Sequence, residues 1–249
     1  MKINQYLDAT YLKTLFQAGI SEEENLFNLE TLLSEAKEFG YKLVMIRANY
    51  IPFAKDFLKQ HNANSLIGTV IGFHEGTYSI ESKLAEAKNA IELGADELDF
   101  VINFEEFKKG NQNLIKNEVF EGTKLCLENS KVVKWIIEVA ALSSQEIIEI
   151  SRLIKEVVLE NFGTEAAQKV FVKSSTGFYK TEHNLPNGAT FETMKLIVEN
   201  SKPLQIKAAG GVRDYETAVK MIKIGVDRIG TSSSKEICIN AISSKNSNY

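Results

Sequence analysis

Two lysines stand on apolar runs near the end of the chain. Lys173 closes Val170-Phe171-Val172, and Lys207 lies in Leu204-Gln205-Ile206-Lys207-Ala208. If those runs are adjacent strands of one sheet, the two ammonium groups lie close together. Like charges at short range penalise the doubly protonated state, so one lysine gives up its proton more readily than a lysine in water. A neutral lysine amine is the nucleophile that condenses with a carbonyl compound to a Schiff base. Carboxylates mark other runs in the same way, as Asp8, Asp99 and Glu138. A pairing of Lys207 with Asp8 would hold that lysine charged beside a neutral Lys173. A single charge at the end of an apolar strand reads as a rim charge or an ion pair. Five such charges at the strand ends, pointing into one mouth, read as a site.

The glycine turns suggest a second property. Ala209-Gly210-Gly211-Val212-Arg213 and Gly230-Thr231-Ser232-Ser233 follow the last two apolar runs. Gly210-Gly211 lets backbone amides approach a ligand closely, Arg213 adds a bidentate fork, and the Gly230 segment opens the last helix, whose start favours an anion. One such turn is a plain connection. Two in consecutive final units point to a phosphorylated ligand.

Other chemistries lack their residues. His61, His74 and His183 are scattered, and neither H-E-x-x-H nor C-x-x-C occurs, so no metal site is expected. Walker A spacing is absent, which argues against nucleoside triphosphate hydrolysis, and no other cofactor is implied. The 29 basic and 33 acidic residues leave a net charge of −4, with no electrostatic footprint for nucleic acid or an anionic membrane. The start lacks the apolar core of a signal peptide, and stretches such as Trp135-Ile136-Ile137 are too short to cross a bilayer. Cys126 and Cys238 are the two cysteines, too few for a disulfide framework, so a reducing cytoplasm is expected. Cys126 and Trp135 read as packing.

Eight short apolar runs would have to position these residues: 3–7 (weak), 42–46, 66–71, 97–102, 132–137, 170–172, 204–208 and 226–229. Their lengths suit buried parallel strands. Helical segments fill the gaps. Ser21-x-x-Glu24 and Ser143-x-x-Glu146 are capping boxes. Leu84, Ala87 and Ile91 share one face of the segment 79–93, which stops at Gly94. Eight strands alternating with helices over 249 residues predict an α/β fold, a single-domain (β/α)8 TIM barrel covering 1–249, with 241–249 expected as a flexible tail. An open doubly wound sheet shares the alternation, but no G-x-G-x-x-G follows any strand, which lowers its dinucleotide-binding version. In a barrel, the site lies at the C-terminal ends of the strands.

In this order along the chain, several segments resemble the deoxyribose-phosphate aldolase family. They are Leu7-Asp8-Ala9-Thr10, Gly94-Ala95-Asp96-Glu97-Leu98-Asp99-Phe100-Val101-Ile102-Asn103, Lys134-Trp135-Ile136-Ile137-Glu138, Phe171-Val172-Lys173-Ser174-Ser175-Thr176-Gly177-Phe178, Lys207-Ala208-Ala209-Gly210-Gly211-Val212-Arg213 and Arg228-Ile229-Gly230-Thr231-Ser232-Ser233. The resemblance implies a class I, metal-free, cytoplasmic aldolase of deoxyribonucleoside catabolism. It would reversibly cleave 2-deoxy-D-ribose 5-phosphate to acetaldehyde and D-glyceraldehyde 3-phosphate. Lys173 matches the Schiff-base lysine, Lys207 the second lysine that keeps the first one's pKa low, and Asp99 the carboxylate that moves protons through a water. Gly177, Gly210, Gly211, Arg213, Gly230, Ser232 and Ser233 match a phosphate pocket.

Asp8, Lys134, Glu138 and Thr176 are candidate supporting residues. Tyr249 matches a terminal tyrosine that assists proton transfer in some relatives, and a homodimer is the family's common assembly. Met45 stands where many relatives carry a cysteine, which implies tolerance to acetaldehyde. Ala9 and Val139 replace polar residues, and His74-Glu75 replaces a proline-containing turn. These three departures are expected near the mouth and bear on fine specificity. A Schiff-base aldolase with another donor and a non-catalytic sugar-phosphate sensor are the alternative readings.

Overall fold

The capping boxes mark true helix starts. Ser21 Oγ accepts the Glu24 amide at 3.2 Å while Glu24 Oε2 accepts the Ser21 amide at 2.9 Å, and Ser143 with Glu146 repeats the exchange at 3.3 and 2.7 Å. Each box satisfies amides that a helix start leaves without intrahelical partners. The structure, a computed structural model, describes residues 1–182 and 186–246. His183 and Tyr249 therefore lie outside the described residues.

Eight strands run β1 (Leu7–Thr10), β2 (Leu43–Met45), β3 (Leu66–Ile71), β4 (Glu97–Val101), β5 (Val132–Ile136), β6 (Val170–Lys173), β7 (Gln205–Ala209) and β8 (Arg228–Thr231). Neighbours pair in parallel, and β1 pairs with β8, closing the sheet into a barrel and excluding an open one. The helices are α1 (Leu15–Ala18) and α2 (Glu22–Phe39) after β1, α3 (Ile51–Gln60) after β2, and α4 (Ile80–Leu93) after β3. They continue with α5 (Phe104–Lys108) and α6 (Gln112–Glu128) after β4, α7 (Ser144–Phe162) after β5, α8 (Phe191–Ser201) after β6, α9 (Tyr215–Lys223) after β7 and α10 (Ser234–Asn246) after β8. Alternation of strand and helix, with every strand buried on both faces, is what the eight apolar runs predict. Among the described residues no helix is long and apolar enough to cross a membrane.

The runs differ from the strands mainly at their ends. Residues Ile3–Tyr6 form a 3-10 turn, and β1 begins at Leu7, so Asp8 sits inside its strand rather than beyond it. Positions 241–246 of the segment expected as a tail continue α10. The main core lies between sheet and helices. There Trp135 packs on Phe100 with ring centroids 5.1 Å apart, and its indole N–H donates to Thr123 Oγ1 at 3.1 Å. Cys126 is buried in the same layer, so both residues are packing, as expected. Ala9 of β1 and Val139, in the 3-10 turn that follows β5, are both buried in this core; on β1, Ala9 alternates with the inward Asp8 and so faces the helices.

A buried pair braces the loops above β3 and β4. Lys83 of α4 contacts Glu118 of α6, and its ammonium donates to Gly76 O at 2.6 Å and Val101 O at 2.7 Å. Glu118 Oε2 accepts the Asn103 amide at 3.0 Å. These bonds satisfy a buried ammonium and fix both loops over the barrel.

Candidate active site

Strand register brings the charged residues into the barrel lumen. Asp99 lies between Val70 of β3 and Lys134 of β5, Lys173 lies beside Lys207, and Lys207 lies beside Arg228. Lys173 Nζ donates to Asp99 Oδ2 at 2.7 Å, and Lys207 Nζ donates to the same oxygen at 2.8 Å. Lys207 also pairs with Asp8 Oδ2 at 2.5 Å. Lys134 holds the other oxygen of Asp99 at 2.7 Å, Glu97 at 2.6 Å and Asp8 at 3.7 Å. Arg228 closes the ring on Asp8, by Nε at 2.7 Å and also through Nη2, and on Glu97 at 3.2 Å.

Three carboxylates thus face four cationic side chains, all of them buried. A buried excess positive charge is costly, and the proton that relieves it leaves from the least supported ammonium. Lys134 touches three carboxylates and Lys207 two, whereas Lys173 touches Asp99 alone. Burial is the largest influence on Lys173. Asp99 opposes it and Lys207 and Lys134 add to it, leaving the ammonium pKa at about 8. On Asp99, burial alone would favour the neutral acid, but Lys134, Lys173 and Lys207 outweigh it and hold the carboxyl well below its ordinary range. Asp8 repeats that balance, with Arg228, Lys207 and Lys134 overcoming burial to leave it at about 2. Burial opposes charge on Lys134 too, but Asp99, Glu97 and Asp8 raise its pKa.

The opposite wall is apolar. Leu12, Leu43, Met45 and Val70 form a separate cluster inside the barrel, with Phe73 and Phe178 packed on it. Phe178 meets Phe73 edge to face at 5.0 Å and stacks on His74 at 5.5 Å, and Arg47 lies 4.8 Å above the Phe73 ring. Backbone space at β3 fits Met45 closely, since a Cβ on Gly68 would come within 2.6 Å of its Cε. A cleft of 770 Å³ opens among the loops after β1, β3, β4 and β6, lined by Lys13, His74, Glu75, Phe104, Phe178 and Tyr179 among others. Lys173 does not line it; the cleft meets the apolar wall at Phe178.

Four of the five ionisable groups expected at the mouth, Asp8, Asp99, Lys173 and Lys207, converge. They do so in the lumen rather than on a rim. Glu138 instead bonds Thr176, accepting its amide at 3.1 Å and its hydroxyl at 2.5 Å, and burial pushes its pKa up. Of the residues expected to hold phosphate, Gly210 and Gly211 adopt positive φ (83° and 91°), Gly177 does the same at 82°, and Arg213 and Ser232 are exposed. Ser233 is half-buried and precedes α10. Gly230 has a further reason to lack a side chain, because a Cβ there would lie 3.0 Å from Lys207 Cε.

Glu97 and Arg228 complete the network, although composition and motif gave neither a role. Glu97 left a faint signal in the two-residue period, since it shares one face of β4 with Asp99, whereas Arg228 is placed beside Lys207 only by the register of β7 and β8. Among the described residues no three His, Cys, Asp or Glu side chains are grouped as a metal would need.

A family model for DeoC/LacD family aldolases matches residues 8–239. The chain is 37% identical over 237 residues to a deoxyribose-phosphate aldolase of Thermococcus kodakarensis, covering 95% of each. It is 37% identical over 242 residues to one of Mycoplasma capricolum, covering 96% of each. Among solved structures, the aldolase QR15 superposes with a TM-score of 0.79 at 31% identity, over 98% of this chain and 97% of that one. A deoxyribose phosphate aldolase from Aeropyrum pernix, described as a tetramer, superposes with a TM-score of 0.76 at 26% identity, over 97% and 91%.

Proposed function

The chain belongs to the DeoC/LacD family of aldolases, and from that premise we propose that it reversibly cleaves 2-deoxy-D-ribose 5-phosphate to acetaldehyde and D-glyceraldehyde 3-phosphate. The observation that carries the mechanism is the weakly supported Lys173, its ammonium pKa at about 8 in a lumen with one cation in excess. Its neutral amine adds to C1 of the open-chain sugar, water leaves, and an iminium forms. Deprotonation of the C3 hydroxyl drives cleavage of the C2–C3 bond, whose electrons pass to the iminium and leave an enamine on Lys173. Protonation at C2 and hydrolysis release acetaldehyde. Asp99, ionised at rest, serves as the base through a water, and Lys207 on the same Oδ2 resupplies the proton, work worth about 10²–10⁴-fold.

Gly177, Gly210, Gly211, Arg213, Gly230, Ser232 and Ser233 hold the phosphate, which orients the sugar without entering the chemistry. Asp8 and Lys134 support Lys207 and Asp99 by direct ion pairs. Tyr249, outside the described residues, is proposed to assist proton exchange at the donor methyl. Unchanged exchange after its deletion would end that role. A homodimer in a reducing cytoplasm is the proposed setting, and light scattering of the purified protein tests the assembly.

Borohydride trapping with 2-deoxyribose 5-phosphate, followed by peptide mass spectrometry, tests the mechanism. A reduced adduct on Lys173, lost without substrate and in Lys173→Leu, is expected. An adduct on Lys207 alone reverses the two lysine roles. Sugar-phosphate binding without any adduct makes the protein a sensor instead.

A further inference from the structure

The turn 174–178, directly after Lys173, is tied to its surroundings at three places. Ser174 Oγ donates to Ala209 O and accepts the Ala209 amide, both at 2.9 Å, which fixes the turn to β7. Thr176 gives its amide and hydroxyl to Glu138 Oε2, in the segment after β5. Thr176 Oγ1 then accepts the Phe178 amide at 3.0 Å, and the Phe178 ring packs on Phe73, His74 and the apolar cluster of β2 and β3. In an eight-stranded ring closed in chain order, β2 and β3 lie across the lumen from β6 and β7. A bonded path therefore runs from Glu138 through Thr176 to the one residue of the apolar wall supplied by the loop after Lys173.

Glu138 bears costs that holding a turn does not require. It is a non-glycine residue in the left-handed region, at φ 55° and ψ 71°. It is 1% exposed, and burial pushes its carboxyl pKa up against the hydrogen bonds from Thr176 and Ser175. Left-handed backbone and a buried carboxyl each cost stability, and such costs gather where a site needs one geometry.

We propose that Glu138 is a positioning residue for donor specificity: through Thr176 it fixes Phe178 against the apolar wall, so that the space facing the Lys173 amine admits a two-carbon aldehyde and rejects a larger donor. The inference rests on the acetaldehyde reading above. With the latch intact, an extra methyl on the donor meets a fixed ring. With the latch broken, Phe178 can yield, and discrimination set by one carbon in an apolar pocket, worth about 10-fold or more, is lost.

Donor competition tests this, with acetaldehyde and propanal as donors and D-glyceraldehyde 3-phosphate as acceptor. Thr176→Val keeps the branched shape and the amide bond to Glu138 but removes both hydroxyl bonds, the one to Glu138 and the one that holds the Phe178 amide. It should raise the propanal-to-acetaldehyde ratio of kcat/KM about 10-fold. Thr176→Ser, which retains the hydroxyl, should hold the ratio within about twofold of the starting protein. Glu138→Ala should act like Thr176→Val, and the double variant should add nothing beyond either, as expected for members of one path. If Glu138→Ala does not fold, the Val and Ser pair at Thr176 carries the test.

Hydrogen exchange of the peptide 174–180, read without substrate, should be faster in Thr176→Val and unchanged in Thr176→Ser. Equal losses with both donors would leave Thr176 merely structural and overturn the proposal, as would unchanged exchange. A parent protein that does not use acetaldehyde overturns the functional reading and the donor claim with it, and the exchange experiment still decides whether the latch exists.

Discussion

The two halves of the barrel lumen are built from opposite chemistries. On β1, β4, β5, β6, β7 and β8 the inward side chains include Asp8, Glu97, Asp99, Lys134, Lys173, Lys207 and Arg228, joined in one buried network. On β2 and β3 they are Leu43, Met45 and Val70, closed over by Leu12, Phe73 and Phe178. The charged half lowers the pKa of Lys173, and the apolar half is proposed to bound the space for the donor. Removing water from the apolar side also strengthens every Coulomb interaction on the other. An apolar pocket without the network would offer no activated amine.

The largest break in that comparison is Lys173→Leu. It removes the proposed nucleophile and the cation in excess together, so the reaction should fall by something on the order of 10⁵-fold. The remaining three cations then match three carboxylates, so thermal stability should hold or rise. A variant that is both inactive and strongly destabilised would show that Lys173 is a structural partner of Asp99. Asp99→Asn comes next, with an expected loss of about 10²–10⁴-fold in kcat. It also leaves four cations against two carboxylates, so this variant, unlike the first, should lose stability, read as a lower Tm.

That contrast bears on what could be seen before the structure. The barrel was legible because eight apolar runs alternate with capped amphipathic segments, a pattern with few other solutions. Lys173, Lys207 and Asp99 stood out because a charge inside an apolar run needs a reason. Glu97 and Arg228 did not, because each opens its strand and reads as a boundary residue until the register is known. Ala9 turns to the outer core for a related cause: which face a residue takes depends on a register that one strand cannot reveal. The Glu138–Thr176 bond joins residues 38 apart and left no local trace.

The pH profile sharpens the charged half. Lowering a lysine from 10.5 to about 8 raises its neutral fraction at pH 7 from roughly one in 3,000 to roughly one in ten. The rate of Schiff-base formation should therefore climb about 10-fold per unit below the midpoint and level off above about pH 8. The sign of each neighbour follows. Asp99 raises the Lys173 pKa, so Asp99→Asn should move the midpoint down. Lys207 lowers it, so Lys207→Met should move the midpoint up. Cyanide or borohydride trapping rates from pH 6 to 9 read all three. A midpoint near 10 in the parent protein would mean that the network does not activate Lys173.

The smallest expected effect tests the apolar half. The two cysteines, Cys126 and Cys238, are buried in α6 and α10, and burial pushes their thiols up to about 12 and about 11. Neither offers a thiolate to an aldehyde at neutral pH. Met45, in the wall itself, presents a thioether, which cannot add to a carbonyl. Prolonged incubation with acetaldehyde should leave activity nearly unchanged, whereas Met45→Cys should lose it progressively and gain a covalent adduct at position 45. The substitution also removes buried volume against Gly68 and Leu43, so a stability loss of about 1–3 kcal/mol should accompany it. Incubation and unfolding must therefore be followed separately. Adduct formation without instability isolates the thiol, and equally rapid inactivation of the parent protein would show that its wall does not protect the site.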